Sequence, residues 1–176
     1  MSRVIVLAVD PTSDLSAPLV RWTCQNILRP NDLLHLITGW SLDPEYDAQD
    51  LSSDYMYVGA MLAEQELETA QKYMQQLETY SELAKEELNG MQVEVRASLL
   101  KGRVSAGDQI TEFVQDTKAA MLVLASRDLS ALKRFWSGSF SDFCVHHVAC
   151  PVVVVKHVEL LAQPNNEVQG KELEAA

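Results

Sequence analysis

Residues 4–9 read Val-Ile-Val-Leu-Ala-Val, and Val152, Val153, Val154 and Val155 form a second unbroken apolar run near the other end of the chain. A strand with one face in water alternates apolar and polar side chains. An all-apolar, β-branched run of strand length is therefore a strand buried on both faces. Strands of that kind belong to parallel sheets, whose crossover helices cover both sides. The first run is read as such a strand and the second as the last strand of the sheet, and a 176-residue chain has the length for one α/β domain with a full-sized core.

The intervening residues supply the crossovers. After the first run, Asp10-Pro11-Thr12-Ser13-Asp14 is turn chemistry. Ser16 is placed to cap a helix that carries Pro18 in its first turn, and Pro30 stops that helix. Residues 33–37 form a second strand. Residues 41–57 are acidic, rich in Tyr and Ser and without a period, which predicts a long loop. Ala70, Tyr73, Met74, Leu77, Tyr80, Ala84 and Leu88 then recur at helical spacing, predicting a long helix from about Val58 to Asn89, with Gly90 as its stop. Residues 92–99 alternate as a third strand, and residues 102–116 form a helix with Ile110, Phe113 and Val114 inward. A fourth strand spans 120–125. A short helix spans 139–148, with Phe140, Phe143, Cys144 and His147 on one side. Strands and helices that alternate in this way call for right-handed crossovers and a doubly wound sheet. Residues 158–176 turn polar and read as a flexible tail, leaving 1–157 as the domain.

Charge narrows the partners. Lys and Arg number 14 and Asp and Glu 25, a net of 14 − 25 = −11, which argues against nucleic acid and anionic membranes as direct partners. Twelve of the acidic residues fall between Ser41 and Glu87 against Lys72 and Lys85, a local net of 2 − 12 = −10. That stretch is a solvated face with the makings of a docking surface for a basic protein partner. Cys24, Cys144 and Cys150 lack the spacing of a disulfide framework and read as reduced thiols. No apolar run approaches membrane-spanning length, so the expected location is the cytoplasm.

At residues 121–156 the chain resembles the C-terminal half of a universal stress protein. That family ends its fourth strand with glycine, leaves two residues before a second glycine, and after nine more places Gly-Ser or Gly-Thr. Here the spacing holds with Ala125, Asp128 and Gly138-Ser139. Residues 145–155 (Val-His-His-Val-Ala-Cys-Pro-Val-Val-Val-Val) are close to the family's usual ending, and residues 4–10 match its first strand with its terminal aspartate. The likeness covers about residues 3–157.

The resemblance implies a three-layer, Rossmann-like sandwich with a five-stranded parallel sheet in the order 3-2-1-4-5. It also implies a crevice between the ends of the first and fourth strands that takes ATP or AMP with Mg²⁺. Asp10 would then face the nucleoside, with Ala125 across the crevice. Gly138, Ser139 and Ser141 would open the last helix toward phosphate, and Lys133 and Arg134 would offset its charge. Turnover is expected to be slow or nil, since no good general base is in view. The short edge strand at residues 152–155 is expected to pair with a second copy, or with a related domain as a hetero-pair.

Two departures bear on that site. Ala125 adds a methyl group where the family has glycine. Asp128 costs roughly 1–2 kcal/mol if its backbone must be left-handed. Its carboxylate, at about 4 Å from a phosphate, would repel it by ~1 kcal/mol in water and about 4 kcal/mol at an effective dielectric near 20. Asp128 can equally help hold Mg²⁺ on the phosphates, which reverses the sign. These substitutions keep a second reading open, a non-nucleotide interaction module that uses the same fold as a scaffold in a larger assembly. Other sets are weaker. His146 and His147 are adjacent and point to different sides of a helix, so with Cys150 they make a poor zinc site. Ser139, Asp142 and His146 lack a nucleophile-elbow sequence, and no phosphate-loop NTPase motif is present.

Overall fold

A computed structural model describes residues 2–41, 53–126 and 140–156, with side chains throughout except at 53–60 and 62. The element order is β1 (Val4–Ala8), α1 (Ser16–Asn26), β2 (Leu33–Ser41), α2 (Ser53–Leu88), β3 (Glu94–Gly102), α3 (Ala106–Asp116), β4 (Met121–Ser126), α4 (Phe140–His147) and β5 (Val152–Lys156). All strand pairs are parallel and the sheet order is β3-β2-β1-β4-β5. The chain therefore winds one way from β1 to β3, returns to the far side of β1, and winds the other way to β5.

The two-faced burial read from residues 4–9 is what the sheet shows. Ile5 and Leu7 point into a core shared with α1 and α2, through Leu19, Val20, Leu77 and Ala84. Val6 and Ala8 point into a second core with α3 and α4, through Ile110, Val114 and Cys144. The apolar stripe of α2 is fully buried only at Leu77, Tyr80, Ala84 and Leu88. The helix stops where expected, because Asn89 and Gly90 both take positive φ (44° and 85°), a conformation glycine adopts without strain. Cys24 and Cys144 are buried thiols, pushed up to about 12 and about 11 respectively, chiefly by desolvation.

Several boundaries differ from the sequence reading. β2 runs through Thr38, Gly39 and Trp40 to Ser41 because β3 continues beside it as far as the Ser41–Gly102 pair. Ladder hydrogen bonds thus extend a strand whose apolar run had ended. α3 consequently starts at Ala106, not at Gly102, and Ser105 caps it by accepting from the Asp108 N–H at 3.1 Å. α2 begins at Ser53, inside the stretch read as a loop. Ser16 is not the cap of α1. It lies inside the first turn and binds backward to Asp10. Phe140, expected on one side of α4 with Phe143, Cys144 and His147, is 39% exposed.

One buried polar group links the fold to pH. His35 on β2 is 9% exposed, meets Ser98 Oγ at 2.9 Å and takes Phe113 edge-on. Burial, with a smaller contribution from the Arg96 charge, lowers its pKa below 6.5. As pH falls through about 6.5 the unfolded chain binds a proton that the folded chain resists, so stability falls with pH until the folded imidazole also titrates. Urea unfolding at pH 7.5 and 5.5 is expected to show this loss, at most about 1.4 kcal/mol per pH unit. The loss should be smaller in His35→Gln. Equal losses in the two proteins would contradict the assignment.

Candidate functional site

In an open parallel sheet, the ends of two strands whose crossovers run in opposite directions are left uncovered, and a crevice forms beyond their carboxyl ends. In this chain that point lies between β1 and β4. A cavity of about 590 Å³ opens there, within the size range of small-molecule sites. Its floor is the strand ends: Ala8 and Val9 of β1 and its continuation, Thr38, Gly39 and Trp40 of β2, and Leu124 and Ala125 of β4.

The β1–α1 turn makes one wall. Asp10 Oδ1 accepts from the Thr12 N–H at 2.8 Å and from Thr12 Oγ1 at 2.7 Å. The Asp10 backbone is clamped from the other side, since Ser16 Oγ donates to its carbonyl (2.7 Å) and accepts from its N–H (3.2 Å). These bonds tie the turn to the first residues of α1, so the carboxylate is held at the lip of the cavity. Thr38 Oγ1 donates to the Val9 carbonyl at 2.9 Å and so joins the ends of β1 and β2.

The opposite wall is the start of α3 and of α4. Ala106 reaches the cavity because Gly39 lets it. A Cβ at position 39 would lie 2.9 Å from the Ala106 carbonyl oxygen and 3.0 Å from its methyl carbon. Phe140 and Ser141, in the first turn of α4, complete that side. Trp40 and Tyr73 form the end nearest α2, with ring centroids 5.9 Å apart in an edge-on contact. Lys101 Nζ lies 5.2 Å from the Trp40 ring centroid and 3.3 Å from Glu66.

Of the residues singled out from sequence, Asp10, Ala125 and Ser141 line this one cavity. Asp128, Lys133, Arg134, Gly138 and Ser139 lie outside the described residues. Thr12, Trp40 and Tyr73 were not singled out. Thr12 had a legible signal, a Thr two residues after an Asp in a turn. Tyr73 had been read as a member of the apolar stripe of α2. The other sets are placed as follows. His147 stacks on Phe143 with its Nδ1 2.8 Å from the Phe143 carbonyl, and His146 is exposed 3.5 Å from Asp142. No group of three His, Cys, Asp or Glu among the described residues is disposed to hold a metal ion, and no described helix is long and apolar enough to cross a membrane.

A model of the universal stress protein family matches residues 1–156. No curated protein sequence matches the chain. Solved structures do. A universal stress protein from Archaeoglobus fulgidus in complex with dAMP superposes with a TM-score of 0.59 at 16% identity, over 88% of this chain and 98% of that one. A universal stress protein in complex with cAMP gives 0.58 at 18% identity, over 88% and 97%. A family protein from Arabidopsis thaliana with AMP bound gives 0.56 at 20%, over 88% and 91%. At these identities the likeness is one of fold.

Proposed function

The chain belongs to the universal stress protein family, and from that premise we propose that it binds an adenine nucleotide, ATP or AMP, in the crevice between β1 and β4. The observation that carries this reading is the convergence of Asp10, Ala125 and Ser141 on one cavity at the switch point of the sheet. Complexes of structural neighbours with dAMP, cAMP and AMP support it. Asp10, fixed by Thr12 and Ser16, would accept hydrogen bonds from the nucleoside. Ser141 would serve phosphate with Gly138 and Ser139, and Lys133 and Arg134 would supply positive charge.

The donor set fits Mg²⁺ only as an ion carried on the nucleotide, since the described lining offers a single carboxylate, Asp10. Mg²⁺ commonly binds in that way, through one or two carboxylates plus substrate phosphates. Its contribution would be to neutralise phosphate charge. The described lining contains no His, Glu or Lys, and the one carboxylate already accepts two hydrogen bonds from Thr12. This is a poor general base, so the protein would act as a nucleotide-responsive regulator with little or no hydrolysis. Calorimetric titration of nucleotide-free protein with MgATP is expected to give micromolar binding, with turnover near background. Silence at millimolar MgATP would reject this reading in favour of a scaffold.

We also propose that β5 pairs antiparallel with its copy in a second subunit. It is the last strand in the sheet order. The Leu122 N–H donates to the Pro151 carbonyl, and by ladder alternation the N–H groups of Val152 and Val154 point away from β4. Val154→Pro therefore removes a donor from the outer edge alone. Sedimentation is expected to show a wild-type dimer and a Val154→Pro monomer. A wild-type monomer, or a dimer that survives the substitution, would contradict the pairing.

A further inference from the structure

Trp40 and Tyr73 close the α2 end of the crevice, and neither belongs to the fold's two buried cores. Trp40 is half-buried at the end of β2, past the buried residues Leu34, Leu36 and Thr38 of the same strand. Its position is fixed from three sides. Gln109, itself 8% exposed, donates through Nε2 to the Trp40 carbonyl at 3.1 Å and to the Val104 carbonyl at 2.8 Å. Tyr73 meets the indole edge-on, and the Lys101 ammonium stands over the ring, held there by Glu66. An indole ordered in this way loses little freedom when a ligand arrives.

We propose that Trp40 is a stacking platform for the ligand's base, with Tyr73 and Lys101 as positioning residues that fix its plane. This rests on the nucleotide reading above and adds to it a determinant of ligand class. Hydrogen-bonding groups around Asp10 and Thr12 can recognise a sugar, but they carry no preference for an aromatic ring. A π-face does, and its attraction grows with the area of the ring that covers it. The crevice therefore selects purine over pyrimidine nucleotides, and both over a sugar phosphate. The lysine also sets the polarity of the platform. Its charge is already satisfied by Glu66 and the indole, so it orders the ring without serving as a phosphate ligand.

The test compares AMP, UMP and ribose 5-phosphate by calorimetry on wild type, Trp40→Ala and Trp40→Phe. Ribose 5-phosphate contains all of AMP except the base. Wild type is expected to bind AMP more tightly than UMP, and UMP more tightly than ribose 5-phosphate. Trp40→Ala should weaken AMP by roughly tenfold to a hundredfold and leave ribose 5-phosphate unchanged, while Trp40→Phe should recover much of the AMP affinity. A structural role for Trp40 would weaken AMP and ribose 5-phosphate by the same factor, and that result overturns the proposal. So does an unchanged AMP affinity in Trp40→Ala, which would leave the nucleotide reading standing. If wild type binds none of the three, the nucleotide reading falls and the platform falls with it.

Discussion

Gly39→Val is expected to abolish ligand binding in the crevice and to lower stability by about 3 kcal/mol, a fall in Tm of roughly 6–12 °C for a chain of this size. The reason is a side-chain atom against backbone. The first atom of any side chain at position 39 would lie 2.9 Å from the Ala106 carbonyl oxygen and 3.1 Å from the Ala106 Cα. Neither atom belongs to a side chain that can turn aside, so the start of α3 must move off the end of β2. That movement drags the Ser105 cap and the Gln109 anchor of Trp40 with it. It also widens the cavity wall that Ala106 provides. Gly39→Ala should show the same defects at smaller amplitude. Thermal melting together with AMP titration reads both effects, and a Gly39→Val protein that melts and binds like wild type would refute this packing account.

The second large effect is expected at Asp10, where two substitutions separate structure from recognition. Asp10→Ala removes the acceptor of two Thr12 hydrogen bonds. A bond to a charged group contributes about 1.5–3 kcal/mol when buried and less at an exposed turn; we expect a loss of about 1–2 kcal/mol in stability and a turn too loose to bind. Asp10→Asn keeps an oxygen that can accept from Thr12, so stability should change little. It removes the charge that would strengthen hydrogen bonds from ribose hydroxyls, and AMP affinity should fall about tenfold. Denaturant unfolding and calorimetry on the pair give four numbers. Wild-type affinity in both variants would remove Asp10 from the site.

Much of the fold was legible because burial on two faces leaves a composition that nothing else explains. The run at residues 4–9 became the strand β1 with that burial, whereas the run at residues 152–155 became the edge strand β5, in which only Val155 is buried. The reversal between β1 and β4, which positions the crevice, was implied by resemblance and is present in the sheet order. Local signals failed where tertiary pairing overrode them. Thr38-Gly39-Trp40 has no strand pattern of its own, but register with β3 as far as Gly102 makes it one. Ser16 looked like a helix cap and instead locks the Asp10 turn. The cap that does operate, Ser105 with Asp108, has the right spacing but sits three residues beyond the Gly102 start that the sequence suggests. Trp40 and Tyr73 could not be read together from sequence, since their contact exists only because α2 packs back along the sheet.

The central claim is that an adenine nucleotide occupies the crevice at the carboxyl ends of β1, β2 and β4. Amide chemical-shift mapping of the isotope-labelled protein with AMP tests it most directly. Saturable shifts are expected to concentrate at Val9, Asp10, Thr12, Gly39, Trp40, Ala125 and Ser141. None are expected at Asn31, Gln92 and Ala119, which lie at the opposite, amino ends of the strands. Absence of shifts at saturating AMP, or shifts centred on those amino ends, would contradict it.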